Sequence, residues 1–324
     1  MLRIAESLRC DESPLWHLAR QLGIKESVAS LPYNDPAFDY TDFNQLLYIF
    51  NKFKDFGFHV STLEGAPPNE MIKLGLPGRD EEIEKFIKLL QNMSALGIET
   101  ICYNFMPVFG WFRSNHSIPS RGGSFVTGYD HSQMQNAPLT EYGEVSTLQM
   151  WENYNYFIKA VAPEAERLRV KLALHPDDPP ITPLRGISRI FIDAASFERA
   201  LATSPNPYHG MAYCQGCFST MCEDIPATVK LFGQQGKIFL VHFRDTVGDP
   251  SNFREAFHDE GKTDMLKALR AYADAGVDCP VRVDHVPTMY GEGNDSPGYE
   301  TLGRLYAIGY LRGLLEAVYG GERT

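Results

Sequence analysis

Apolar and polar positions along this chain alternate between two rhythms. Short apolar runs fall near 2–8, 27–31, 58–64, 98–105, 170–175, 210–214, 237–243 and 279–284, and they read as strands. Between them lie stretches near 13–23, 41–57, 80–97, 146–169, 196–203, 224–235, 262–276 and 299–318 that read as helices. Leu89, Leu90, Met93 and Leu96 give the third helix an apolar face at helical spacing. Asp80-Glu81-Glu82 puts acids at its N-terminus, where they complement the helix dipole, and Gly97 stops it. The pattern is faintest in the first two strands. Eight strands alternating with eight helices predict an α/β fold, a parallel (β/α)8 barrel, as a single domain over 1–324.

One segment breaks the rhythm. Residues 106–145 are rich in Gly, Ser, Pro, Asn and aromatics, and include Trp111, Arg113, His116, Arg121 and Tyr129. A loop of this length in a compact domain is usually functional or disordered. It follows the fourth strand, so in a barrel it lies at the mouth. A lid is the preferred expectation and a surface excursion its competitor.

Four of the apolar runs end on a residue that can bind a metal. Val170 to Leu174 runs into His175, Gly210 to Tyr213 into Cys214, Ile238 to Val241 into His242, and Cys279 to Val283 into Asp284. A parallel barrel builds its active site from side chains at the C-terminal ends of its strands. Each residue alone has an ordinary explanation as a core histidine, a small buried thiol or a turn-capping acid. Four at four successive strand ends are much harder to attribute to packing. Two imidazoles, a thiolate and a carboxylate suit Mn, Fe, Co or Zn. Glu64, Asn104 and Arg244 also stand at predicted strand ends, as candidate substrate contacts or rim hydrogen-bonding groups. His285 follows Asp284, placed either to act on a substrate or to support the ligands. Tyr299 stands at a predicted helix start, where packing is the simpler reading.

Composition narrows the function class. The chain has 324 residues, 44% hydrophobic and 22% charged, with 30 basic and 41 acidic side chains and a net charge of −11. An acidic surface argues against a non-specific grip on nucleic acid or anionic membrane. The six cysteines are too few for a chain this long to need a disulfide framework, and read as reduced thiols in a cytosol. Cys214-Gln215-Gly216-Cys217 has Cys-x-x-Cys spacing, but no second pair and no thioredoxin-like context accompany it, so Cys217 and Cys222 read as structural. Met1 to Glu6 lacks an apolar signal core, and no apolar run is long enough to cross a bilayer. The expectation is a cytoplasmic protein without nucleic-acid or membrane partners; a homo-oligomer stays open.

Several motifs together resemble the mannonate dehydratase family. They are Cys102 to Phe109 (CYNFMPVF), His175 to Pro180 (HPDDPP), His242 to Asp245 (HFRD), Arg282 to His285 (RVDH), and Pro297-Gly298-Tyr299 followed by Gly303-Arg304. The resemblance runs clearly from Glu64 onward and loosely before it. It implies a xylose-isomerase-like TIM barrel, a Mn(II) or Fe(II) cofactor, and a small sugar-acid substrate. The implied reaction is dehydration of D-mannonate to 2-dehydro-3-deoxy-D-gluconate in hexuronate breakdown. Residue by residue, it implies His175, Cys214, His242 and Asp284 as metal ligands and His285 and Tyr299 as the acid/base pair. The competing expectations are a metal-dependent sugar isomerase or epimerase on the same barrel, and a non-catalytic sugar-acid-binding protein. A barrel endonuclease fits the acidic charge and the thiolate ligand poorly.

Overall fold

A computed structural model of the protein describes residues 1–65 and 67–320. The first half of the chain runs β1 (Arg3–Arg9), α1 (Pro14–Gln21), β2 (Glu26–Ser30), α2 (Phe43–Phe56), β3 (His59–Glu64), α3 (Glu70–Leu74), α4 (Arg79–Leu96), β4 (Thr100–Tyr103), β5 (Asn115–Pro119) and β6 (Phe125–Asp130). The second half runs α5 (Thr147–Leu168), β7 (Lys171–Leu174), α6 (Ala194–Thr203), β8 (His209–Cys214), α7 (Gln215–Thr220), α8 (Ile225–Gly233), β9 (Ile238–Phe243), β10 (Thr246–Asp249), β11 (Asn252–Glu255), α9 (Met265–Asp274), β12 (Pro280–Val283) and α10 (Thr301–Tyr319).

Eight parallel strands close in the order β1-β12-β9-β8-β7-β4-β3-β2. The eight strands and eight helices predicted from the hydrophobic pattern all occur, with ends displaced by a few residues. Local chemistry sets those ends. Asp42 caps α2 by accepting from the Asn44 and Gln45 amides, and Gly57 ends it in the left-handed conformation. Ser146 and Gln149 form a reciprocal capping box on α5. Strands β4, β8, β9 and β12 are buried along their whole length, as parallel strands covered on both faces must be.

Strand alternation divides the core in two. Ala5, Val28, Cys102, Ala173, Ala212 and Leu240 form a cluster inside the barrel. Their neighbours Ile101, Tyr103, Leu172, Leu174, Met211, Tyr213 and Val241 pack in the larger layer with the helices. Successive strand side chains point to opposite faces, so a residue two places after an inner one also points inward. Asn104, His175, Cys214 and His242 stand two places after Cys102, Ala173, Ala212 and Leu240, at the C-terminal mouth.

A second sheet, in the order β10-β11-β6-β5, has no counterpart among the predicted strands. The 106–145 segment supplies β5 and β6, and the stretch after β9 supplies β10 and β11. Strands β6 and β11 pair antiparallel, Phe253 opposite Tyr129. These strands are short, and β5 is largely exposed, so they carry no hydrophobic alternation. Tyr129, Phe253 and Leu184 make a small apolar cluster beneath them. Among the described residues, no helix is long and apolar enough to cross a membrane.

Candidate active site

Strands β7, β8, β9 and β12 are neighbours in the barrel, so their ends meet on one side of the mouth. Cys214 stands opposite His242 in the β8–β9 register. His175 Nε2 lies 3.2 Å from His242 Nδ1, and His242 Nδ1 lies 3.8 Å from Asp284 Oδ2. Ligand atoms of Cys214, His242 and Asp284 all lie within 4.8 Å of one another, as do those of His175, Cys214 and Cys217. The four strand-end residues singled out in the sequence therefore converge.

Their hydrogen bonds face them toward a cation. His175 Nδ1 sits 2.7 Å from the Pro176 carbonyl, which can only accept, so Nδ1 carries the hydrogen and Nε2 is bare. His242 Nε2 sits 3.1 Å from a Glu64 oxygen as an ion pair. Against burial and Arg282, the Glu64 charge and hydrogen bonds with Cys102 and Cys214 raise the His242 pKa well above its ordinary value, so its Nδ1 carries a hydrogen toward His175 Nε2. The two ring nitrogens share one hydrogen across 3.2 Å, in a position where a cation can replace it. A carboxylate behind a ligating histidine is the usual outer support of a metal site.

The surrounding charges agree. Burial opposes ionisation of Cys214, but a hydrogen bond from Cys217, the Arg244 charge and His175 outweigh it and hold the thiol well below its ordinary value. Burial likewise opposes ionisation of Asp284, Glu64, Asp178 and Glu255. Arg282 and its neighbours overcome it at Asp284 and, with His242, at Glu64; Arg113 and Arg244 do so at Asp178; Arg244, His285 and Arg113 do so at Glu255. Four carboxylates and one thiolate thus face the guanidiniums of Arg113, Arg244 and Arg282. With His242 protonated as a fourth positive group, one negative charge remains uncompensated in a buried site, which is costly without a partner. A divalent cation that takes the place of the His242 proton matches both the ligand atoms and the charge of the site.

The acid/base candidates meet at the same place. His285 Nε2 lies 2.9 Å from the Tyr299 hydroxyl. Its Nδ1 lies 2.9 Å from Glu255 Oε1. The His285 backbone has φ 25°, at the edge of the left-handed region, a strained conformation of the kind that gathers at functional sites. Burial and the Asp284 charge raise the Tyr299 pKa well above its ordinary value, so the phenol keeps its proton.

A cavity of about 150 Å³ adjoins these groups, lined by Glu64, Asn104, Trp111, His175, Asp178, Arg282, Asp284, His285 and Tyr299 among others. It shares Glu64, Trp111, Arg282 and Tyr299 with an outer vestibule of about 940 Å³. The Trp111 ring stands 5.0 Å from the His285 ring, and its buried indole N–H has no partner among the described residues. Trp111 comes from the 106–145 segment, so that segment forms part of the cavity wall.

The expected substrate contacts divide. Asn104 lines the cavity, with its Oδ1 accepting from the Met106 amide. Glu64 also lines it, but both its oxygens accept from Arg282, at 2.7 and 2.6 Å. Arg244 does not reach the cavity. It is buried, and its guanidinium donates to Asp284, Glu255, Asp178 and the Cys217 sulfur. Of the two readings of its strand-end position, hydrogen bonding describes Arg244 as it stands: two residues past inward-facing His242 its side chain is taken up by acids from other parts of the chain. Cys217, read as structural, stands beside Cys214 and hydrogen-bonds to it. Gly216 between them has a packing reason, because a Cβ there would stand 2.5 Å from Arg244 Nη1.

Sequence reading assigned no role to Arg113, Asp178, Glu255 or Arg282. Asp178 and Arg282 lie inside the HPDDPP and RVDH motifs, and the charges of those motifs are the sequence signal that points to them. Arg113 and Glu255 carry no local signal, since the small sheet brings them in.

Comparison with known proteins gives a consistent result. The sequence model of D-mannonate dehydratase (UxuA) matches residues 13–141 and 135–324. Mannonate dehydratase 2 of Halalkalibacterium halodurans is 33% identical over 302 residues, 85% of this chain and 87% of that protein. The mannonate dehydratase of Thermotoga maritima is 30% identical over 335 residues, 92% of each. The crystal structure of mannonate dehydratase from Streptococcus suis serotype 2 superposes with a TM-score of 0.91 at 27% identity, covering 100% of this chain and 97% of that one. A xylose isomerase domain protein from Planctomyces limnophilus, 11% identical with a TM-score of 0.65, shares the fold.

Proposed function

Because this chain belongs to the D-mannonate dehydratase family of hydro-lyases, we propose that its barrel mouth is the metal centre at which D-mannonate loses water. The reaction converts D-mannonate to 2-dehydro-3-deoxy-D-gluconate. The observation that carries the reading is the convergence of four ligand atoms beside a paired His285 and Tyr299. His175, Cys214, His242 and Asp284 would hold a divalent ion, Mn(II) or Fe(II). The ion supplies Lewis-acid stabilisation of the negative charge that develops on substrate oxygens.

The protein's own groups handle the protons. Elimination requires a base for the C2 hydrogen and an acid for the departing C3 hydroxyl. With Nδ1–H turned to Glu255, Nε2 is the His285 atom free to take the C2 proton once substrate parts it from Tyr299. Tyr299 enters the cycle protonated and gives its hydrogen to the leaving hydroxyl. The enol then tautomerises to the 2-keto acid. Asn104 and the Trp111 indole N–H orient substrate hydroxyls, and the 106–145 segment acts as a lid that excludes water. A cytoplasmic setting fits the free cysteines found at all six positions.

The test is direct. Purified protein supplied with Mn(II) is expected to form a 2-keto product from D-mannonate, detected with semicarbazide or thiobarbiturate. Absence of turnover with Mn(II), Fe(II) and Co(II) alike would overturn the reading. Conversion of an aldose or ketose without loss of water would favour an isomerase or epimerase instead.

A further inference from the structure

Glu255 lies at the end of β11, outside the barrel, yet its carboxylate reaches under the barrel mouth. Three groups meet it there. His285 Nδ1 is 2.9 Å from Oε1, Arg113 donates to Oε1 at 2.6 Å, and Arg244 Nη1 donates to Oε1 and Oε2 at 3.0 and 2.9 Å. Glu255 is 1% exposed, so water does not compete for these bonds. Arg113 and Arg244 are themselves tied to Asp178, which locks the carboxylate from two sides.

This geometry has a consequence for His285. An ionised carboxylate can only accept, so the ring nitrogen 2.9 Å away must carry the hydrogen. Arg113 Nη2 approaches the same nitrogen only to 3.5 Å and is already bonded to Glu255 and Asp178. We propose that Glu255 is a positioning residue, which holds the His285 ring in its Nδ1–H tautomer so that the bare Nε2 faces Tyr299 and the cavity. The small sheet exists in this protein to deliver it. Strand β11 is fastened to β6 of the 106–145 segment by Asn252–Asp130, Phe253–Tyr129 and Arg254–Gly128 pairs, and that same segment carries Arg113. The sheet and the acid/base pair are therefore one device.

The proposal rests on the dehydratase reading, and its test separates the two. The full chain, labelled with 15N-histidine and loaded with diamagnetic Zn(II), is compared by NMR with His285→Gln to locate the His285 ring signals. The hydrogen is expected on Nδ1 in the wild-type protein and on Nε2 in Glu255→Gln, whose amide can donate to Nδ1. A wild-type ring protonated on Nε2, or an unchanged tautomer in Glu255→Gln, overturns the proposal whatever the enzyme's substrate. With D-mannonate, Glu255→Gln is expected to lower kcat by about 10³-fold or more, as a wrong tautomer does in other acid/base pairs. KM and bound metal should stay within about threefold of wild type, and Glu255→Asp should recover part of kcat. Loss of kcat only in proportion to lost metal would make Glu255 a fold residue and overturn the proposal. A tautomer switch in a protein without D-mannonate turnover would uphold the positioning role and refute the dehydratase reading alone.

Discussion

At the scale of single residues, neighbours divide the labour by protonation. Cys214 is held ionised by Arg244 and its hydrogen-bond partners against the cost of burial, whereas Tyr299 is held protonated by burial and the Asp284 charge. Their substitutions should fail differently. Cys214→Ser replaces a thiolate with a neutral hydroxyl, so bound metal measured by elemental analysis is expected to fall at least tenfold, with activity following it. Tyr299→Phe leaves the ligands intact, so metal content should be unchanged while kcat falls by about 10² to 10⁴-fold, the usual contribution of a general acid. Equal metal loss in both variants would contradict this separation. The candidate ligand residues were legible from one-dimensional pattern because each ends an apolar run. Arg244 was not, because a strand-end position fixes which way a side chain leaves the barrel but not which acids await it.

At the scale of elements, the eight barrel strands and their helices followed from periodicity and capping chemistry, while the small sheet did not. Its strands depend on each other and on a cluster of Tyr129, Phe253 and Leu184 from distant parts of the chain. Gly128 shows how tightly they fit. A Cβ there would stand 2.5 Å from Ile118 Cδ1 and 2.7 Å from the Phe253 carbonyl oxygen. Gly128→Ala is expected to push β6 off β11 at a local cost of about 1–3 kcal/mol. Hydrogen exchange should accelerate at 125–130 and 252–255 with the barrel strands unaffected, and kcat should fall because Glu255 and Arg113 lose their anchorage. Unchanged protection in both strands would mean that the sheet absorbs the methyl group elsewhere.

At the scale of the whole molecule, buried neutral histidines set the response to acid. His209 Nδ1 donates to the Ser204 carbonyl at 3.1 Å, and its Nε2 accepts from the Tyr154 hydroxyl at 2.9 Å. Burial pushes the pKa of His209 down from 6.5 to about 4, and that of His258 likewise. Between those values the unfolded chain binds protons that the folded chain refuses, so stability falls as pH drops from 6.5 toward 4. Each histidine contributes on the order of 3 kcal/mol to that loss. The buried carboxylates of the site, Glu64, Asp178, Glu255 and Asp284, have depressed pKa values and add their loss only below the ordinary carboxylate range, whereas burial raises Glu6 and Asp177, which oppose the loss. The urea midpoint is therefore expected to drop between pH 7 and pH 4.5, and the drop should be smaller in His209→Gln. Parallel slopes in the two proteins would assign the acid sensitivity elsewhere.

The sequence by itself determined the barrel, its strand ends and the four converging candidate ligands. These depend on periodicities of two and 3.6 residues and on side-chain direction, which are local properties of the backbone. Tertiary structure decided the rest. It turned a long polar segment into half of a sheet, tied Arg244 into a buried ion network, and placed Glu255, with Arg113 bonded to it, against His285. Charge pairing in a buried site depends on groups far apart in the chain, and no local pattern encodes which of them will meet.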